Sequence, residues 1–223
     1  MLDVYEKVKE IKLSFRQMMD GAVAQSMRDK GVDYHLNWGA TIPRLQQMAE
    51  DIKAEYVEKP SENASDASEH SPLYHLAIAL WKENVRECKI LAVMLMPPAE
   101  MLPEVVDIWM EQVATQELAE QAAFQLFQYL PFAPDKAFRW IAGSQEYEQL
   151  CGFHVLSRLF MNGQEPNERG INEYIDQLLA ALQGSYPSVR KAAFQSVQHF
   201  AELGLVYERL TKSALKSVNL DFF

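Results

Sequence analysis

Amphipathic helical segments follow one another almost without interruption from Ser71 to Ala201, and this feature constrains the fold most. Apolar residues recur at helical spacing, while prolines and glycines mark the ends of the segments. No alternating run of strand length occurs, so the pattern predicts an all-α protein. The predicted helices are Leu73–Lys82, Val85–Met96, Glu100–Val113, Gln116–Leu130, Pro134–Ala142, Gln145–Met161, Asn167–Gln183, Pro187–Leu203 and Leu205–Val218.

Helix pairs recur about every 30–40 residues, which is the spacing of HEAT and armadillo repeats. We therefore expect a right-handed superhelix of antiparallel helix pairs, whose concave surface grips a long partner. The predicted organisation is one domain over residues 1–223. It comprises N-terminal helices in 1–58, of which Asp3–Lys30 is one long helix, a polar loop in 59–71 and the repeat array in 72–223.

Composition and charge narrow the function classes. No apolar run approaches the ~18 residues that a membrane span requires, and the first turns carry charges, so we expect a cytoplasmic protein without a membrane partner. The net charge is -10, which is unfavourable for a nucleic-acid ligand unless cations cluster locally. One such basic cluster lies in the last two helices: Arg190, Lys191, Arg209, Lys212 and Lys216.

The segment between Ala99 and Leu150 is strongly acidic. It holds nine carboxylates against two cations, Lys136 and Arg139, and would repel phosphates if the acids lined the concave face. Histidines nowhere recur at metal-ligand spacing, so we expect no metal and no cofactor. His154 lies in an apolar helix, which favours a core or cleft position.

Four stretches resemble the AlkD-type DNA alkylation repair family of HEAT-like DNA glycosylases. They are YHLNWGATIPRLQQMAEDI (34–52), LAIALWKENVRECKILAVML (76–95), FRWIAGSQEYEQLCGFHVL (138–156) and PSVRKAAFQSVQHFAEL (187–203). The resemblance implies a cleft that excises alkylated bases. An acid there stabilises the developing positive charge, aromatic side chains contact the damaged nucleotide, and Arg and Lys hold the phosphates.

The family's motifs are only partly matched in this sequence. The "WDxxD" motif falls on Gln116, Glu117 and Glu120, so Glu120 stands at the catalytic acid and Gln116 at a tryptophan. A second cleft tryptophan falls on Gln195. The aromatic position of the "NxWxRR" unit falls on Tyr147, and its two arginines fall on Gln149 and Leu150. Arg190 and Lys191 match the family's Arg-Lys pair.

The sequence leaves three functions open. The preferred one is a family member with a degenerate glycosylase centre, acting as a DNA- or protein-binding module. The second is an active alkylpurine DNA glycosylase with Glu120 as the catalytic carboxylate and with aromatic contacts from Tyr147 and Trp38. The third is a protein-interaction scaffold with an acidic concave face. The expected partner is accordingly duplex DNA or a basic protein, and the expected state is a monomer.

Overall fold

The computed structural model describes residues 4–58 and 70–217, and these residues form twelve α-helices and two short 3-10 helices, Pro98–Glu100 and Phe127–Tyr129. Within these two ranges no β-strand occurs, and the prediction of an all-α protein is confirmed. The α-helices are α1 Val4–Gln17, α2 Gly21–Asp29, α3 Ile42–Glu58, α4 Pro72–Trp81, α5 Arg86–Leu95, α6 Pro103–Glu111, α7 Gln116–Gln125, α8 Ala133–Ile141, α9 Glu146–Met161, α10 Glu168–Gln183, α11 Pro187–Glu202 and α12 Leu205–Ser217.

The chain divides into two compact units, Met1–Val106 and Asp107–Phe223. In the first unit, α4 packs against α1 and α5, and α3 packs against α5. In the second, α9 packs against α7, α8 and α11, and it is apolar around most of its circumference because it is surrounded by these neighbours. The expectation of a single domain over residues 1–223 stays a prediction.

Prolines and glycines located the repeat helices well. Most predicted boundaries lie within one to three residues of the observed ones. The predicted helix Gln116–Leu130 is too long, because α7 ends at Gln125 and a 3-10 turn follows. That turn buries Phe127, whose ring lies 5.3 Å from the Trp140 ring. Residues 59–69 of the predicted polar loop lie outside the described residues.

The predicted single helix Asp3–Lys30 is wrong. The chain leaves the helix after Gln17 and starts α2 at Gly21, because Asp20 is extended and caps the new helix. The Asp20 carboxylate accepts hydrogen bonds from the backbone N–H groups of Ala22 and Val23, both at 3.0 Å. An aspartate at this position satisfies N–H groups that a helix start leaves without partners.

A buried ion pair fixes the irregular loop before α3. Arg86 and Glu87 are both fully buried, and Arg86 Nη1 donates to the carbonyl oxygen of Ala40 at 2.7 Å and to the Glu87 carboxylate at 3.2 Å. Glu87 also accepts the backbone N–H groups of Trp38 at 3.1 Å and Ala40 at 3.2 Å. This carboxylate is therefore satisfied on all sides, as a buried charge requires.

Gly39 completes this loop. Its φ of 79° lies in the left-handed region, which favours glycine. A Cβ atom at this position would overlap the carbonyl oxygen of Asp20. The loop can therefore approach the start of α2 only because residue 39 has no side chain.

None of the helices in residues 4–58 and 70–217 combines the length and the hydropathy that a membrane span requires.

Candidate functional site

Three parallel helices of the second unit, α7, α9 and α11, carry the candidate site. Contacts between α7 and α9 join residues 34 positions apart, namely Glu120 with His154 and Phe124 with Arg158. Contacts between α9 and α11 join residues 42 positions apart, namely Glu146 with Ser188 and Ser157 with His199. Because each separation is constant, neighbouring helices run in the same direction with a fixed register.

Glu120, the residue that the motif resemblance predicts at the catalytic position, forms a hydrogen bond within its own helix. Gln116 lies one turn earlier on α7, and its Nε2 donates to Glu120 Oε1 at 2.7 Å. The Glu120 side chain keeps 32% of its surface exposed. The carboxylate therefore accepts one hydrogen bond and is partly exposed to solvent. Its hydrogen-bond donor is an amide rather than the tryptophan side chain of the family motif.

His154 lies beside Glu120, with Nε2 of the ring 3.9 Å from Glu120 Oε1. The residue is only 7% exposed. Burial and, to a smaller extent, the positive charges of Arg158 and Lys191 together lower the pKa of His154 from 6.5 to about 4. The imidazole is therefore neutral at pH 7, and its contact with Glu120 is not an ion pair.

Arg158 lies one turn after His154 on α9 and stacks on an aromatic ring of α7. Its guanidinium carbon is 4.6 Å from the centroid of the Phe124 ring. The His154 ring meets the same phenyl group edge-on, with centroids 4.8 Å apart. Sequence analysis did not single out Phe124 or Arg158, although the spacing of Gln116, Glu120 and Phe124 by four residues indicates one helix face.

Three further predicted cleft residues, Tyr147, Gln195 and Glu117, lie on the same helices. Tyr147 lies in the first turn of α9, where burial and then the charge of Glu146 raise its pKa. Gln195 is exposed on α11. Among the described residues, no hydrogen bond or ring contact joins Tyr147 or Gln195 to Glu120. Glu117 is half-buried beside Gln116 on α7.

Arg190, predicted to bind nucleic acid, closes a turn. Its Nη1 donates to the carbonyl oxygen of Gly184 at 2.6 Å. In the preceding helix pair, Gln149 Nε2 donates to the carbonyl oxygen of Gly143 at 2.8 Å. In both pairs the donor lies six residues after the glycine. The same device therefore closes both turns, and Arg190 has a structural role that its sequence motif does not indicate.

The other predicted cations lie on exposed surface. Lys191 is exposed on α11, and Arg209 and Lys216 are exposed on α12. Lys212 Nζ pairs with the carboxylate of Glu208 one turn earlier at 2.6 Å. The cluster thus extends over two helices of the second unit, and part of its charge is neutralised locally.

The acidic segment is also partly neutralised. Asp107 Oδ1 binds Lys136 Nζ at 2.6 Å and Arg139 Nη2 at 3.2 Å. Glu146 accepts a hydrogen bond from Ser188 Oγ at 2.6 Å. Both cations of the segment therefore contact one acid, and a simple count of its charges does not describe the surface. Among the described residues, no three His, Cys, Asp or Glu side chains group as metal ligands.

Trp38, the last predicted aromatic contact, belongs to the first unit. Arg16 lies over its ring, 5.5 Å from the centroid. Its Nε1 is buried and has no hydrogen-bond partner in residues 4–58 and 70–217. Trp38 is thus half-buried and contacts Arg16.

Comparison with known proteins decides the family. The sequence profile described as "DNA alkylation repair enzyme" matches residues 11–202. The chain belongs to the DNA alkylation repair family. The resemblance seen in the four motif stretches is thereby confirmed, over a larger part of the chain than those stretches cover.

A solved structure of another protein is similar in fold to this chain. It is described as "A new family of proteins related to the HEAT-like repeat DNA glycosylases with affinity for branched DNA structures". The match has a TM-score of 0.68 at 15% identity, and it covers 93% of this chain and 80% of that chain. The predicted HEAT-like repeat fold is confirmed. A comparison with curated protein sequences finds no match.

Proposed function

We propose that this DNA alkylation repair family member binds DNA without excising alkylated bases. The observation that carries the proposal is the surroundings of Glu120. The carboxylate is bound by the amide of Gln116, which stands where the family has a tryptophan, and its other neighbour is the neutral imidazole of His154.

Base excision requires an environment that favours the positive charge of the transition state. A cationic alkylated base gains most from an open aromatic face beside the carboxylate. On α7 the aromatic side chain one turn from Glu120 is Phe124, and Arg158 already covers that ring. A guanidinium at this position repels a cationic base. The arrangement of Glu120, Phe124 and Arg158 therefore disfavours excision of cationic alkylated bases.

DNA binding is supported by family membership and by the similar structure, whose description includes affinity for branched DNA. Exposed cations on α11 and α12 supply contacts that an acidic protein otherwise lacks. We propose duplex DNA as the partner and branched DNA as the preferred form. Monomeric state and cytoplasmic location stay predictions.

The test measures release of a cationic alkylated purine from duplex DNA and binding to labelled duplex and four-way junction DNA. We expect no release from wild type or Glu120→Gln, and binding that weakens as salt increases. Glu117→Gln, which changes the neighbouring acid of α7, is the matched control. Release that vanishes in Glu120→Gln but persists in Glu117→Gln would establish a working glycosylase. Neither release nor salt-dependent binding would leave the protein scaffold as the remaining function.

A further inference from the structure

Two cations of the second unit, Arg158 and Lys191, have no protein acceptor within the described residues. The exposed Arg169, Arg209 and Lys216 have none there either, but Arg158 differs from these three in its burial. Elsewhere in this unit, Lys136 and Arg139 bind Asp107, Arg190 binds a backbone carbonyl and Lys212 binds Glu208. Arg158 is half-buried. Its side chain is therefore partly withdrawn from water without a carboxylate to compensate, which is unusual for an arginine in a chain of net charge -10.

Stacking on Phe124 sets the orientation of Arg158. The guanidinium carbon lies over the Phe124 ring, 4.6 Å from the ring centroid. A contact with a ring occupies none of the five N–H donors of a guanidinium with a hydrogen-bond acceptor, so they are available for a ligand. The Phe124 ring is in turn fixed by the edge of the His154 ring. The cation is thus held in place before any ligand arrives.

Lys191 lies on the adjacent helix in known register. The 42-residue offset between α9 and α11 places Lys191 level with position 149, nine positions before Arg158. At 1.5 Å per residue, the two backbone positions are about 13 Å apart along the helix axes. Both charges nevertheless act on the His154 imidazole between them. This spacing fits a ligand with several phosphates, such as a nucleic-acid backbone, better than a single anion.

We propose that Arg158 and Lys191 form a phosphodiester-binding site across α9 and α11, in which Phe124 orients Arg158. The inference rests on the proposed DNA-binding function and names the residues by which the backbone is held. Arg158 lies outside the Arg-Lys pair and outside the two arginine positions of the family motif, which are Gln149 and Leu150 here. Glu120 is the acid on this face that opposes the phosphate.

The experiment measures the affinity of the full chain for fluorescently labelled duplex and four-way junction DNA between 50 and 200 mM salt. We expect Arg158→Gln to weaken binding about fivefold to tenfold at 0.1 M salt and to reduce the slope of log K against log salt by about 1. Arg158→Lys keeps the charge but not the stacked fork, and we expect an intermediate loss. Phe124→Leu tests the orientation of Arg158 without changing any charge.

Arg169→Gln is the matched control. Arg169 is exposed on α10 and, like Arg158, has no acceptor among the described residues. Circular dichroism confirms that each variant is folded. If Arg158→Gln binds as wild type does, the inference is wrong while the proposed function stands. If Arg169→Gln loses as much affinity, binding follows total charge and the site does not exist. If wild type binds neither DNA, the proposed function fails and this inference fails with it.

Discussion

Two helical carboxylates, Glu87 in the first unit and Glu120 in the second, differ in how completely the protein satisfies them. Glu87 is fully buried and receives two backbone N–H groups and a guanidinium. Glu120 keeps a third of its side chain exposed and receives one amide hydrogen bond. Glu87 uses its carboxylate to hold a loop in place. Glu120 still has lone pairs that can accept a hydrogen bond from a ligand, and its negative charge would repel a phosphate.

The difference follows from burial. A charge withdrawn from water costs several kcal/mol unless nearby groups compensate it, so a buried acid remains only where its partners are complete. An acid at the surface is hydrated and tolerates a single weak partner. Complete pairing therefore indicates a structural role for Glu87, whereas the partial exposure of Glu120 leaves its carboxylate without such a role and is compatible with the proposed DNA-binding surface.

The largest expected effect concerns the structural role of Glu87. Glu87→Leu removes the carboxylate from Arg86 and from two backbone N–H groups, and we expect the free energy of unfolding to decrease by about 3–5 kcal/mol. Urea unfolding monitored by circular dichroism measures it. The double variant Arg86→Met with Glu87→Leu should recover part of the loss. A decrease below about 1 kcal/mol in Glu87→Leu would show that the pair does not hold the loop.

A smaller effect tests whether the residue beside Glu120 is neutral. The pKa of His154 is lowered in the folded state, so protonation favours the unfolded chain. Stability contributed by the neutral imidazole is complete above pH 6.5 and is lost as the pH decreases toward 4. We expect a loss on the order of 2–3 kcal/mol over this range from His154.

Urea unfolding at several pH values measures this loss in wild type and His154→Gln. The variant should lack that part of the pH dependence. His75→Gln, which changes an exposed histidine on α4, serves as the control and should retain it. Identical pH profiles for wild type and His154→Gln would contradict a buried neutral imidazole beside Glu120.

The smallest expected effect concerns the influence of Glu120 on DNA binding. Glu120→Gln removes one negative charge from the face that carries Arg158, and we expect its affinity for duplex DNA to increase about twofold to threefold. The free energy of unfolding should change by less than about 0.5 kcal/mol, because the acid is partly exposed. Fluorescence anisotropy and urea unfolding measure the two quantities. Weaker DNA binding in this variant would assign Glu120 a positive role in recognition.

Local chemistry explains what could be predicted. Proline and glycine set most helix ends because they act through their own backbone. The contact of Gln116 with Glu120 is likewise local, since residues four apart lie on one face of a helix. Asp20 could have been recognised as a helix start, since aspartate at an N-cap is a local signal. The prediction of one long N-terminal helix failed because apolar periodicity continued through that position.

Register between helices explains what could not be predicted. Phe124 and Arg158 are 34 residues apart, and no sequence pattern shows that they stack. Arg190 matches a family motif, yet its contact with Gly184 becomes visible only when the turn is built. The Arg86–Glu87 pair reads as the charged start of an exposed helix, and its complete burial depends on the loop that folds over it.

The amino-acid sequence alone determined an all-α HEAT-like repeat and the family, and it predicted a site in which two aromatic positions and one basic position of the family hold glutamine. Helical periodicity, chain-breaking residues and motifs each depend on residues close together in the chain, so they can be recognised from the sequence alone. Only the tertiary structure decided which charges are compensated. Coulombic and hydrogen-bonding partners come from different helices, and their distances depend on the packing register rather than on the spacing along the chain.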